Sequence, residues 1–298
     1  MLDGVIWILQ GMWGGLTGLI YVLTHPATVF DFSDKQNLMR LVYYGASVEL
    51  FFAVFNVVVA IFVIGLFRRE FLWRVVIGLE AFSNTIGRVA AWAGLIMVLQ
   101  QVMVVFLQSI FRVADISLGP LGLATDHGVA WWADGLKFHN AVVVALCAAW
   151  TFVQGGHVRV DLFYAQVRHR TKRFIDMMGA LLFMIPAMTI TWFYAWFFMW
   201  RHLITPPVNA TDTLDRTLMK AVAVRWNVET TGFSPSGFNA YFLFKVLILM
   251  FCLTVLVQAI TFFYRSYLEF VEGEASAGKH LDKDRIGDET AEAAAEIH

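Results

Sequence analysis

Ionisable side chains set inside apolar stretches are the first places to look for chemistry, because burying a charge is tolerated only where something answers it. Two stand out in this sequence. Glu49 lies nine residues beyond Arg40, about 13 Å at 1.5 Å per helical residue. Lys245 lies six residues beyond Asn239, about 9 Å by the same rise. Their apolar stretches would place both in one half of a bilayer, where Glu49 and Lys245 could form an intramembrane ion pair. Separate burial, with the lysine snorkelling to the surface, is the alternative. No second buried acid joins Glu49, which disfavours a coupling-ion site.

Other chemistries find little support. Two histidines facing each other at one depth would suggest axial haem ligation, but His139 and His157 sit at opposite ends of one apolar stretch. His25, His127 and His202 fall between such stretches. The sequence contains no HExxH, phosphate-binding loop, GxSxG or CxxC pattern. Cys147 and Cys252 lie within apolar runs and read as small buried hydrophobes. No cofactor, no metal and no enzymatic activity are expected.

Two further patterns have spacing worth noting. Gly11 and Gly15, and likewise Gly14 and Gly18, are four residues apart, which gives a helix faces where another can approach closely. The stretch Gly155-Gly-His-Val-Arg-Val-Asp-Leu-Phe-Tyr-Ala alternates His157, Arg159 and Asp161 with valines. In an extended chain the three polar groups share one face. In a helix His157 and Asp161 align at i,i+4 and Arg159 points away. Either way they are candidates for tying neighbouring segments together.

The elements that must position these residues follow from composition. The 298 residues are 59% hydrophobic and 15% charged, with a mean hydropathy of +0.65. Soluble domains run nearer 45–50% and about 25%, so the bilayer is the solvent. A net charge of −1 gives no reason to expect nucleic acid. Stretches of about 20 apolar residues mark spanning helices. Six are read: 5–23, 41–67, 89–111, 138–154, 174–200 and 241–264. The fold class is therefore all-α, a polytopic membrane helix bundle.

Loop charges set the orientation. Arg68, Arg69, Arg74 and Arg88 follow the second span. Arg159, Arg168, Arg170, Lys172 and Arg173 follow the fourth, and Arg265 follows the sixth. Six spans with these basic loops place both termini in the cytoplasm. The N-terminus has no basic region before its apolar run, so a cleaved signal is not expected.

Between the second and third spans, Leu72, Val75, Val76, Leu79, Phe82 and Ile86 recur at helical spacing. Residues 68–87 thus read as an amphipathic helix lying flat at the interface. In the loop 201–239, Asp212 is a plausible N-cap of a short helix, with Asp215 in its first turn. Residues 272–298 carry eight acids and three bases, and the segment 271–298 reads as a disordered acidic tail.

The run HVRVDLFYAQVRHRTKRFIDMMGALLF resembles the signature region of the small membrane subunit, DctQ type, of tripartite ATP-independent periplasmic (TRAP) transporters. The pattern is a span, a His-[VI]-Arg-[VI]-Asp segment, a basic stretch and a further span. The Asp-Leu-Phe-Tyr continuation, with Phe-Lys-Val-Leu and Leu-Val-Gln within 244–258, is similar to the mannitol and chloroaromatic branch. The likeness covers residues 86 to 270. It organises the chain as an extra two-span segment 1–67, the amphipathic helix 68–87, a four-span core 88–270 and the tail.

The resemblance implies a non-catalytic scaffold. Its partners would be a large membrane subunit that carries substrate and sodium, a periplasmic substrate-binding protein, and membrane lipid. His157, Arg159 and Asp161 would serve assembly. The substrate would be an organic solute, an acid by the family's habit. An accessory subunit of a respiratory or photosynthetic complex is the alternative reading.

Overall fold

The computed structural model describes residues 2–29, 31–112, 115–118, 125–154, 167–229 and 238–282. The helices are α1 (Leu2–Thr24), α2 (Pro26–Val29), α3 (Lys35–Tyr44), α4 (Val48–Phe67), α5 (Arg69–Val105), α6 (Val129–Gln154), α7 (His169–Gly179), α8 (Ile185–Arg201), α9 (Leu214–Lys220) and α10 (Phe242–Glu272). Two small antiparallel pairs complete the described structure. They are β1 (Asp115–Leu118) with β2 (Thr125–Gly128), and β3 (Ile204–Thr205) with β4 (Arg225–Trp226). Six helical stretches are long and apolar enough to cross a membrane. The chain is an all-α bundle of multi-pass membrane type.

Side-chain contacts fix the direction of each helix. Trp73 meets Glu272 and Glu80 meets Arg265, so α5 runs antiparallel to α10. Phe138 packs on Phe244 and Phe152 on Phe262, so α6 runs parallel to α10. Arg173 reaches Glu269 while Phe198 lies by Lys245, so α7 and α8 run opposite to α10. Phe62 stacks on Tyr264 and meets Tyr267 edge to face, and the Tyr264 hydroxyl donates to the Val58 carbonyl at 2.7 Å. The six stretches therefore alternate, and the start of α1 and the end of α10 lie at one end of the bundle. That end is called here the tail end, and the opposite one, carrying residues 202–229, the loop end.

α10 is the hub. Along it Leu249, Cys252, Val255, Ala259, Tyr264 and Leu268 are buried, whereas α1 is exposed along most of its length. Exposed apolar side chains on outer helices are what a lipid-facing surface requires.

The structure differs from the sequence expectation in four places. First, the span read as 41–67 is two helices. Ser47 adopts extended backbone and its hydroxyl accepts from Leu50 N–H at 3.2 Å, starting α4 afresh. Gly45, just before it, lets α8 approach closely: the Trp196 ring would lie 2.0 Å from a Cβ there. Trp192 and Trp196 donate to the carbonyls of Gly45 and Val42, fastening α3 to α8.

Second, residues 69–87 form no separate interfacial helix. They are the first five turns of the 37-residue α5, about 55 Å long at 1.5 Å per residue. That exceeds a hydrocarbon thickness of about 30 Å, so α5 must tilt or project. No Pro or cap interrupts it, and its buried face is Leu72, Trp73, Val76, Glu80, Ser83, Asn84 and Gly87. Phe82 is exposed.

Third, the cap of α9 is Thr213, whose hydroxyl accepts from Arg216 N–H. Asp212 is instead buried beneath the loop. Fourth, residues 273–282 of the expected tail fold back on the bundle, with a short helical turn Glu274–Ser276.

One irregularity has a clear cause. Between α7 and α8 the helix widens to a π turn, Ala180–Met184, just before Pro186. Proline lacks an N–H and its ring crowds the carbonyl four residues back, and a π turn relieves both.

Candidate functional site

The densest chemistry lies at the tail end. Arg265, on α10, forms a two-pronged pair with Glu80 on α5: Nε to Oε1 and NH2 to Oε2, both at 2.6 Å. Its NH1 donates to the Lys279 carbonyl at 2.8 Å and lies 3.5 Å from Glu269. Glu269, one turn along α10, is met by Arg173 of α7 at 2.6 Å, in an ion contact outside hydrogen-bond geometry. Arg173 also donates to Asp176 at 3.1 Å. Glu80 and Glu269 are 2% and 1% exposed.

The tail closes this network. Trp73 donates to Glu272 at 3.0 Å, and Gly278 N–H to Glu269 at 3.3 Å. Asp282 accepts from Arg88 at 3.0 Å and from Asn84 at 3.0 Å. The Gln154 amide of α6 donates to the Asp282 carbonyl at 3.1 Å. The Arg88 guanidinium, then the Asn84 amide, holds the Asp282 carboxyl below the ordinary carboxylate range. α5, α7, α10 and the tail segment are thus joined by charged contacts, and α6 by the Gln154 amide.

Buried ion pairs are weak devices for net stability but strong ones for register. The planar guanidinium of Arg265 accepts one carboxylate orientation, so Glu80 and Arg265 allow one relative height of α5 and α10. Every acid in the set is engaged by a cation or a donor. Among the described residues no group of three His, Cys, Asp or Glu is placed to hold a metal ion. The arrangement can fix helices against each other; it offers no open ligand position.

A second polar site lies at the loop end. Lys245 is 3% exposed, and its ammonium pairs with Glu229, with the rings of Phe198 and Tyr241 beside it at 5.2 and 5.1 Å. His202 Nε2 stands 3.8 Å from the same carboxylate. Glu49 is exposed in the first turn of α4. The candidate Glu49–Lys245 pair is thus replaced by Glu229–Lys245. The break at Gly45–Ser47 moves Glu49 out of the span interior, and the returning loop carries Glu229 to the lysine.

Under that loop, Asp212 pairs with Lys220, accepts from Asn209 N–H at 3.0 Å and faces Arg216 at 3.4 Å. Burial alone would raise its pKa; the Lys220 hydrogen bond and the Asn209 N–H outweigh this and leave it lowered.

The glycines of α1 divide. A Cβ on Gly15 would lie 2.6 Å from the α4 backbone at Phe52 and Ala53, and one on Gly11 would strike the Phe52 ring at 2.2 Å. Gly14 and Gly18 face open space. Asn56 then donates to the Met12 carbonyl at 2.7 Å. One of the two stripes is therefore a helix contact within the chain. Both cysteines are free and buried. His157, Arg159 and Asp161 lie outside the described residues.

Sequence reasoning missed Glu80, Arg265, Glu269 and Asp282. The signal was present for three. Glu80 and Asn84 continue the i, i+3, i+4 line of Trp73 and Val76, and Arg265 and Glu269 stand at i,i+4 on one helix.

The fold and site define a class: a multi-pass membrane helix bundle locked at one end by buried ion pairs. Comparison with family models, with curated proteins and with solved structures gives no match.

Proposed function

We propose that this chain is the small, non-transporting membrane subunit of a TRAP transporter. In that role it would be a static body against which a larger permease moves during sodium-coupled, binding-protein-dependent uptake of an organic solute. The observation that carries the reading is the run from His157 to Phe183, with its alternating His157, Arg159 and Asp161 followed by the basic stretch. The tail-end network supports it, because Arg173 and Asp176 from that same run are bonded to each other and Arg173 continues to Glu269.

A sliding partner needs a scaffold that does not yield. Fixed register between α5, α7 and α10 provides stiffness, and the exposed apolar faces of the outer helices provide area for a second membrane protein or lipid. An inner-membrane location with both termini cytoplasmic belongs to the same proposal, as does the absence of catalysis. The basic residues clustered at the tail end favour that orientation.

Co-purification with a large hydrophobic permease tests the reading. Arg159→Ala is expected to reduce recovery of the complex more than Arg170→Ala, since Arg170 is exposed. Equal recovery of both variants and the parent, or no permease partner at all, contradicts it.

A further inference from the structure

At the loop end a groove of about 530 Å³ lies between α3 and the β3–β4 pair. Its floor is apolar: Leu38, Trp200, Ile204 and Val224 are all buried residues that line it. The charged residues lining it are Lys35 and Arg225, both exposed. The neighbouring acids turn away onto their own chain. Asp31 is bonded to Ser33, and Asp34 accepts from Gln36 N–H at 2.9 Å as the cap of α3. Neither acid lines the groove.

The groove sits among tryptophans. Trp192, Trp196 and Trp200 occupy the last turns of α8, and Trp226 lies 6.2 Å from Trp200. Tryptophan gathers where hydrocarbon meets headgroups. An apolar floor at that depth, with cations alone among its charged lining residues, matches one amphiphile: an acyl chain ending in a negatively charged phosphodiester.

We infer that this groove is a binding site for an anionic phospholipid, its chain along Leu38, Ile204 and Val224 and its phosphate held by Lys35 and Arg225. The inference rests on the membrane class of the fold and stands apart from the transporter proposal. The lipid would also bridge α3 to the returning loop.

The test is native mass spectrometry of the purified chain released from micelles. Phosphatidylglycerol and phosphatidylcholine of matched chains are supplied in equal amounts. The parent should retain one phosphatidylglycerol in preference. Lys35→Gln or Arg225→Gln should each lower that preference about five-fold, and the double change about thirty-fold, from the attraction of a basic residue to anionic lipid. Arg68→Gln with Arg69→Gln, exposed at the far end, should leave the preference intact.

Equal retention of the two lipids by the parent overturns the proposal. So does an unchanged preference in the double variant, or equal loss in the Arg68 and Arg69 control. Displacement of the bound species by glycerol phosphate at millimolar concentration would show a headgroup site without a chain, and overturns it as well.

Discussion

Removing one partner of the Glu80–Arg265 pair should produce unequal losses that depend on which partner goes. Breaking a buried ion pair costs about 3–5 kcal/mol, because the survivor remains desolvated. Glu80→Leu leaves Arg265 with the Lys279 carbonyl at 2.8 Å and Glu269 at 3.5 Å, so about 3 kcal/mol is expected, the low end of that range. Arg265→Met strands Glu80 without its guanidinium and leaves Glu269 to Arg173, so about 5 kcal/mol is expected. Glu80→Leu with Arg265→Met removes both charges, and an apolar replacement of a buried pair is often neutral. The double variant should therefore lie well above the sum of the single losses. Reversible unfolding in mixed micelles, followed by tryptophan fluorescence, measures all four corners of the cycle. Additivity within about 0.5 kcal/mol would refute the coupling and with it the role of the pair in fixing α5 on α10.

Other outcomes follow from the remaining contacts. In a second cycle Glu229→Gln and Lys245→Met should couple, whereas Glu49→Gln should change stability by less than about 0.5 kcal/mol and be additive with Lys245→Met. Gly15→Ala forces a methyl into the α4 backbone and should destabilise by about 1–3 kcal/mol, while Gly14→Ala should be neutral or slightly stabilising, up to about 1 kcal/mol from helix propensity; thermal unfolding compares them. The carboxyl of Asp282 has a lowered pKa, so tail docking is present above its ordinary value and is lost as pH falls below about 4. A spin label at exposed Ala277 should report rising mobility on acidification and none between pH 5 and 8, and Asp282→Asn should be mobile throughout. Loosening as pH rises would contradict the assignment.

Much of the bundle is legible in the sequence because hydrocarbon thickness sets a length that apolar runs must meet. The runs 5–23 and 241–264 needed no other information, whereas 41–67 matches one helix only from Val48 onward. Asp176 was readable as a charge partner near the basic run, and it bonds Arg173 three residues away. Local chemistry failed where a distant segment competes. Asp212 has the sequence position of a helix cap, yet Lys220 and Asn209 take its carboxylate and Thr213 caps instead. Lys245 was paired with the nearest acid inside a span, because nothing in the spacing tells that residues 202–229 return to lay Glu229 on it. The tail was read from its composition, which is polar enough for disorder. Residues 273–282 are ordered by partners on three helices, α5, α6 and α10, and those on α5 and α6 are far away in sequence. The face of residues 69–87 was misplaced by about one position: the fold buries Trp73 and Glu80 and exposes Phe82.

The central claim is that the chain braces a transporter and does not itself move solute. Liposomes reconstituted with the large permease, the binding protein and an imposed sodium gradient measure it directly, with this subunit present, absent or alone. A static scaffold predicts uptake with all components, loss of most uptake when this chain is omitted, and none from this chain by itself. Uptake by this chain alone, or full uptake without it, would contradict the scaffold role.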